Sequence, residues 1–447
     1  MQLSDHKAIV RLGIPIAIGQ LGVIIMGFAD TMMLGRYSTD ALAAASFVNS
    51  VFNLGIFMLS GYGYGLTPLV ASCYGRGRLR RAGGLLKEAL LANLLVGLLI
   101  TALLVGALCA LPWFGQPTSL LPLIRLYFLP MLVSMVFVAL FNALRQFTDG
   151  ITDTAVGMWV MLIGNACNIV GNYLLIYGVG PFPELGLLGA GLSTLLARML
   201  MPLLLFSLLI GRSRYRPYLL GFMAQRLHAK AVRQVHKMSM PIALQMGMES
   251  GCFTVSGIMA GWIGATDLAS FQVMVTIGTL GFLLYYSFGS GVSIRMAAFY
   301  GQHNWEKVKQ VARAGRDIMI LMAFISSCII AFFGRELAGC FTTDPAVLAL
   351  CVSLLPPLVL YQLGDTLQVC YSNTLRATGH VQSVMWIAFV SYVVVNIPMS
   401  YLLAFTCGLG SKGLFLAFSS GLFTAGALFF VRFRRTLRAS MLETRAG

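Results

Sequence analysis

The feature that most constrains this chain is a succession of long apolar runs separated by short basic stretches. About 20 apolar residues suffice to carry a helix across a bilayer. Twelve runs meet that length, at 12–34, 43–71, 88–111, 121–147, 155–178, 187–211, 239–262, 268–297, 315–334, 346–373, 382–406 and 409–433. The chain is 58% hydrophobic and only 10% charged, where a soluble domain carries about 25% charged residues. An all-α polytopic membrane protein with twelve transmembrane helices follows from that pattern.

Lysine and arginine give the orientation. With both termini inside, 26 of the 31 cations fall in inside segments or adjoining helix ends, a strong positive-inside bias. One missed span would scramble that alternation, so the bias also supports the count. It implies a multi-pass membrane protein with cytoplasmic termini, and the expected location is a bacterial-type inner membrane. The net charge of +16 lies in short patches between apolar runs, which argues against nucleic acid as a partner. The first run follows Lys7 and Arg11, but at about 23 residues it exceeds a signal-peptide core of 7–15, so it reads as a retained helix. Nine cysteines are scattered without metal-ligand spacing, and the five histidines fall in expected loops. Neither set suggests disulfides, a metal centre or a proton relay.

The chain repeats. An offset of 226 pairs Pro15-Ile16-Ala17 with Pro241-Ile242-Ala243, Gly63 and Gly65 with Gly289 and Gly291, and Tyr74-Gly75 with Tyr300-Gly301. Further on the offset drifts: Asn142 through Arg145 match Asn373 through Arg376, and Asn168-Ile169 match Asn396-Ile397. Six spans per copy give both copies the same orientation. Two six-helix lobes related by a pseudo-two-fold axis along the membrane normal are therefore expected, with ligands near their interface. The lobes are 1–211 and 239–447, joined by a basic cytoplasmic linker at 212–238.

Three acids lie inside spans: Asp30, Glu249 and Asp365. A carboxylate in hydrocarbon costs about 2–3 kcal/mol on insertion scales, so such residues face polar cavities and usually carry function. Glu249 and Asp365 sit about 10 and 8 residues from the inner ends of their spans, or roughly 12–15 Å deep at 1.5 Å per residue. Matching depth makes them one site, with Tyr361 four residues before Asp365. Two carboxylates and a tyrosine suit a proton or a hard cation such as Na⁺. A structural acid satisfied by neighbouring donors is the plainer alternative. The repeat partner of Glu249 is Val23 and that of Asp30 is Ser256, so the halves carry no equivalent acids. Asp30 belongs to a separate amino-lobe cavity or caps a helix end. Asn165, Asn168 and Asn172 share a helix face and either bridge helices or line that cavity. Arg198, mid-span, must pair with an acid such as Asp30, face water, or hold an anionic substrate group, unless the span is misplaced.

The stretches Ala29 through Arg36, Pro241 through Glu249, Asn168 through Gly178 and Tyr361 through Gly379 resemble the multidrug and toxic compound extrusion (MATE) transporters, nearest the NorM-like branch. The resemblance implies export of organic cations in exchange for Na⁺ or H⁺ from a cavity between two six-helix lobes. It also implies that Glu249, Asp365 and Tyr361 bind the coupling cation and that Asp30 is the first-helix acid. A proton-coupled branch uses an Asn and an Asp four apart on the fifth helix; here those positions are Asn168 and Asn172, so that acid is missing. Arg198 is outside the motif.

No P-loop, H-E-x-x-H or G-x-S-x-G is present, so neither an enzyme nor a nucleotide-driven pump is expected. The expected partners are a small-molecule substrate, a monovalent cation or proton, and the lipid bilayer around a monomer. No cofactor is expected beyond the coupling ion. A flippase for amphiphilic substrates, a dedicated exporter of one metabolite and a non-transporting membrane scaffold are the competing readings.

Overall fold

The computed structural model describes residues 2–114 and 117–446. Its long helices are α1 (Gln2–Tyr37), α2 (Thr39–Tyr64), α4 (Leu79–Cys109), α5 (Leu121–Gly150), α6 (Thr154–Tyr177), α7 (Gly186–Gly211), α9 (Ala229–Ile263), α10 (Ala265–Gly301), α11 (Trp305–Gly339), α12 (Pro345–Ala377) and α15 (Gly410–Ala446). Shorter ones are α3 (Leu66–Gly75), α8 (Arg216–Ala224), α13 (Val381–Ala388) and α14 (Ile397–Tyr401). Among the described residues, eleven helical segments are long and apolar enough to cross a membrane. The stretch 239–262 lies in α9, which is 35 residues long but not among those eleven. Gln245, Glu249 and neighbouring hydroxyls dilute its hydropathy, so the helix with the clearest polar stripe is the least apolar of the expected twelve.

Elements begin and end for local reasons. Ser38 caps α2 by accepting from the Ala41 N–H at 3.4 Å, and Asp344 caps α12 from the Ala346 N–H at 2.8 Å. Each satisfies a donor left over by the first helical turn. The second span divides at Gly65 into α2 and α3, whereas its repeat partner α10 runs unbroken through Gly289 and Gly291. The eleventh span is wound as α13, a π-helix over Phe389–Asn396, α14, and a second π-helix over Leu402–Thr406; its partner α6 is α-helical throughout.

The segment 212–238 is largely helical. It holds a 3₁₀ turn at Ser213–Tyr215, then α8, then the first ten residues of α9. Helix α8 lies on the start of α4 through two glycines. A Cβ on Gly83 would fall 1.9 Å from the Tyr218 carbonyl oxygen, and one on Gly221 would fall 1.9 Å from that of Arg80. Tyr215 is fully buried and donates its hydroxyl to Asp153, which also pairs with Arg214 at 3.1 Å. Burial and the Asp153 charge push the Tyr215 phenol up to about 12. The histidines are less loop-bound than expected, since His6 lies in α1 and His236 in α9. Among the described residues the cysteines are free: Cys252, Cys351 and Cys370 are buried, and Cys109, Cys167, Cys340 and Cys407 are exposed.

The chain packs into two compact units, an amino unit of Ile18–Ala243 and a carboxy unit of Met1–Ala17 with Leu244–Gly447. The packing boundaries thus differ from the lobes 1–211 and 239–447. They fall inside α1 and α9, at residues that the repeat offset of 226 makes equivalent. Pro15 and Pro241 stand two residues before each boundary, where proline removes a backbone donor and loosens the helix. The amino unit has apolar clusters around Phe52, Phe128 and Ile124, and around Phe147, Leu205 and Tyr215. The carboxy unit's cluster centres on Phe271, Phe415, Phe418 and Leu358.

Candidate functional site

Glu249 and Asp365 both belong to the carboxy unit. Each carboxylate lies within the other's electrostatic reach, as their matched depth predicts. Asp365 is 1% exposed, while Glu249 is half-buried. The Tyr285 hydroxyl on α10 donates to Asp365 Oδ2 at 2.5 Å, and that of Tyr361 lies 3.5 Å from the same oxygen. The other oxygen, Oδ1, is buried without a hydrogen-bond partner. Gln368, one turn along α12, donates to the Tyr392 hydroxyl at 2.9 Å, and its own Oε1 is likewise unpartnered. Tyr392 lies in the π-helix and its hydroxyl faces Glu249. Buried acceptors normally have partners, so two orphaned oxygens beside a carboxylate pair fit a proton or a small cation coordinated by oxygen.

Two further groups frame the pair. Arg376, near the end of α12, donates to Gln245 Oε1 at 2.7 Å and directs its charge toward Glu249. Phe253, Tyr361 and Phe418 form an aromatic cluster beside Asp365, with Phe253 and Phe418 stacked at 4.5 Å and Tyr361 edge-on to both.

In the amino unit, Asp30 on α1 accepts a hydrogen bond from the Asn172 amide on α6. Asn168 donates to Thr194 Oγ1 at 3.1 Å, and its backbone carbonyl accepts from Ser193 at 2.8 Å. Asn168 and Asn172 thus bridge helices, and Asn172 holds Asp30. Both side-chain atoms of Asn165 are buried without partners. Arg198 lies within the electrostatic reach of Asp30 and of Tyr127. It forms no ion pair within 4 Å among the described residues; its Nη1 donates to Ser134 Oγ at 2.8 Å and lies 3.8 Å from Met131 Sδ. The expected pairing of Arg198 with Asp30 is therefore through space rather than a direct bridge.

Tyr285, Tyr392 and Arg376 are the site residues that sequence reasoning missed. A mid-span tyrosine is tolerated in any apolar core, and Arg376 reads as one more inside cation. The signal available for Arg376 was its position about three turns along α12 from Asp365 on the same face, in a run already rich in polar residues.

The duplicated frame has a counterpart among known proteins. The MatE family model matches twice, over residues 15–174 and 241–402, and both copies begin on the repeat prolines. The chain belongs to the MatE family. Among curated MatE-type relatives it is similar to the probable multidrug resistance protein NorM of Acinetobacter baylyi, 27% identical over 431 residues, 96% of each chain. It is also similar to the probable NorM protein of Shewanella oneidensis, 28% identical over 439 residues, 96% of this chain and 94% of that one. A crystal structure described as MATE in the bent conformation superposes with a TM-score of 0.90 at 21% identity, covering 99% of this chain and 97% of that one. That likeness shows a common fold, the twelve-helix, two-lobe MATE architecture.

Proposed function

We propose that this MatE protein is a transporter that exports amphipathic, mostly cationic small molecules across the inner membrane, driven by the inward movement of Na⁺ or H⁺. The observation that carries this reading is the carboxylate pair Glu249 and Asp365 with the unpartnered oxygen of Asp365. In this reading the coupling cation binds at Glu249 and Asp365, with Tyr361 holding the Asp365 carboxylate in place. The similarity to proteins named for multidrug resistance supports the substrate class.

Asp30, Asn168 and Asn172 serve a second polar cavity, for substrate or proton, in the amino unit. Arg198, whose guanidinium has hydrogen-bond partners in Ser134 and Met131 but no ion pair within 4 Å among the described residues, favours molecules that carry an acidic group beside their cationic one. It is also the one observation that favours the runner-up, a flippase for anionic amphiphiles. Transport follows alternating access, and the ion drives it by binding one conformation more tightly than the other.

The test is uptake of a fluorescent organic cation into everted membrane vesicles, with Na⁺ and proton gradients imposed separately. Glu249→Gln and Asp365→Asn are each expected to lose gradient-driven uptake. Uptake by both variants at the wild-type rate would overturn the site assignment.

A further inference from the structure

Outside both polar clusters, the amino unit carries a groove of about 680 Å³ between α2, α4 and the start of α9. Its long wall is Leu91, Leu95 and Leu99, one face of α4 at a spacing of four. Those residues span about 12 Å along the helix. Leu95 and Leu99 are 53% and 60% exposed. The groove is also lined by polar side chains, His228, Arg233 and His236, from α9 and the residue just before that helix.

These three side chains form a donor-rich patch. Arg233 is exposed and makes no ion pair among the described residues. His236 Nδ1 lies 3.2 Å from the hydroxyl of Tyr62, itself 1% exposed. A buried phenol needs an acceptor, and the tautomer that serves it places the histidine proton on Nε2. None of the twelve residues lining the groove is acidic. Glu88, one turn earlier on α4, is closed off by both guanidinium nitrogens of Arg81 at 2.7 and 3.2 Å. The patch therefore offers hydrogen-bond donors and positive charge with no competing carboxylate. It also lies at the membrane face to which the positive-inside pattern assigns the cytoplasm, where anionic lipids concentrate.

We propose that this groove binds an anionic phospholipid of the inner leaflet, its phosphate held by Arg233, His228 and His236 and one acyl chain laid along Leu91, Leu95 and Leu99. The segment it grips, residues 229–236, is the part of α9 that packs in the amino unit before the helix leaves it at Ala243. A lipid seated here stabilises that hold.

The experiment titrates purified, detergent-solubilised full-length protein with phosphatidylglycerol, phosphatidylcholine or glycerol 3-phosphate, reading bound lipid by native mass spectrometry and unfolding temperature by thermal shift. Phosphatidylglycerol should bind wild type and raise its unfolding temperature, with phosphatidylcholine at least about fivefold weaker. Glycerol 3-phosphate should bind at least about tenfold more weakly still, because it brings no chain to bury. Arg233→Gln should weaken phosphatidylglycerol about fivefold, the worth of one cation at an anionic surface. Arg212→Gln removes the same charge outside the groove and should leave binding unchanged. Equal binding of the two lipids, or an equal loss in Arg212→Gln, would reduce the attraction to a diffuse one and overturn the site. Binding of glycerol 3-phosphate as tight as that of the lipid would overturn the acyl-chain groove.

Discussion

The two units are built from repeated segments, yet their polar interiors differ in sign. Where α9 of the carboxy unit carries Gln245 and Glu249, the equivalent positions of α1 are Gly19 and Val23. Eight residues before Asn373 stands Asp365; eight before its partner Asn142 stands Ser134, the hydroxyl that holds Arg198. One repeat position is thus an acid in the carboxy unit and the acceptor for a base in the amino unit. The repeated arginines diverge as well. Helix α5 continues far enough past Arg145 for an i,i+4 pair with Asp149 at 3.9 Å. Helix α12 ends one residue after Arg376, and four residues on stands His380. Lacking a local acid, Arg376 reaches Gln245 and the field of Glu249. Duplication preserved the helical frame, and substitutions at a few positions separated a pair of acids in one unit from a mixed-charge cluster in the other.

The largest expected effect tests whether that division is real. Asp365→Asn or Glu249→Gln should weaken coupling-ion binding by at least about tenfold, the factor that 1.4 kcal/mol removes. Asp30→Asn should leave ion affinity near wild type and change substrate uptake instead. Ion binding to purified protein by isothermal calorimetry separates the two; equal losses in both units would erase the distinction.

Next comes the arginine pair. Removing the cation beside Glu249 takes away a repulsive charge, so Arg376→Gln should tighten the coupling ion about tenfold. Arg145→Gln should not alter ion affinity, and its effect should appear only as lost thermal stability. An unchanged ion affinity in Arg376→Gln would mean that its charge is spent on Gln245 alone.

A third substitution works on the amino unit. Ser134→Ala leaves Arg198 without its hydroxyl acceptor among the described residues and should cost about 1–3 kcal/mol, the penalty for a half-buried charged donor losing its partner. Denaturant titration reads it. Asp365→Ser, which copies the amino-unit residue into the carboxy unit, should abolish ion binding and cost less stability than Ser134→Ala.

The smallest effect concerns His380 at the end of α12. Burial and the Arg432 charge lower its affinity for a proton, and its ring is held at Thr378. The folded form therefore stays neutral below the unfolded pKa of about 6.5, where the unfolded chain is already protonated. Stability from this group is present above that value and declines as pH falls toward the folded pKa. His380→Gln should flatten that acid-side decline in thermal melts between pH 7 and 5 and leave the melting temperature at pH 8 unaltered.

Much of this was legible in the residues. The spans, the duplication and the nearness of Glu249 to Asp365 follow from apolar length and helical depth, because the bilayer ties sequence position to height. Azimuth is less constrained. Nothing local to Tyr285 or Tyr392 says that its hydroxyl points at a carboxylate rather than at a backbone carbonyl, and the π-winding that carries Tyr392 leaves no mark in composition. The direct partner of Arg198 proved to be Ser134 because a charge in hydrocarbon accepts any polar neighbour within reach. Helix α8 was hidden by its length, nine residues in a stretch whose cations look like linker.

The transfer of chain between units at Ala17 and Ala243 has an ancestral meaning. Each copy of the repeat gives the opening of its first helix to the unit that holds the bulk of the other copy. Two separate six-helix chains that exchanged an identical segment would be called a domain-swapped dimer, a cheap route to association. In this protein the same exchange occurs within a single polypeptide. Severing the chain between residues 211 and 229 would return it to two six-helix fragments, each needing the other's leading segment to complete its fold, and co-expression of the fragments rather than either alone should restore the protein.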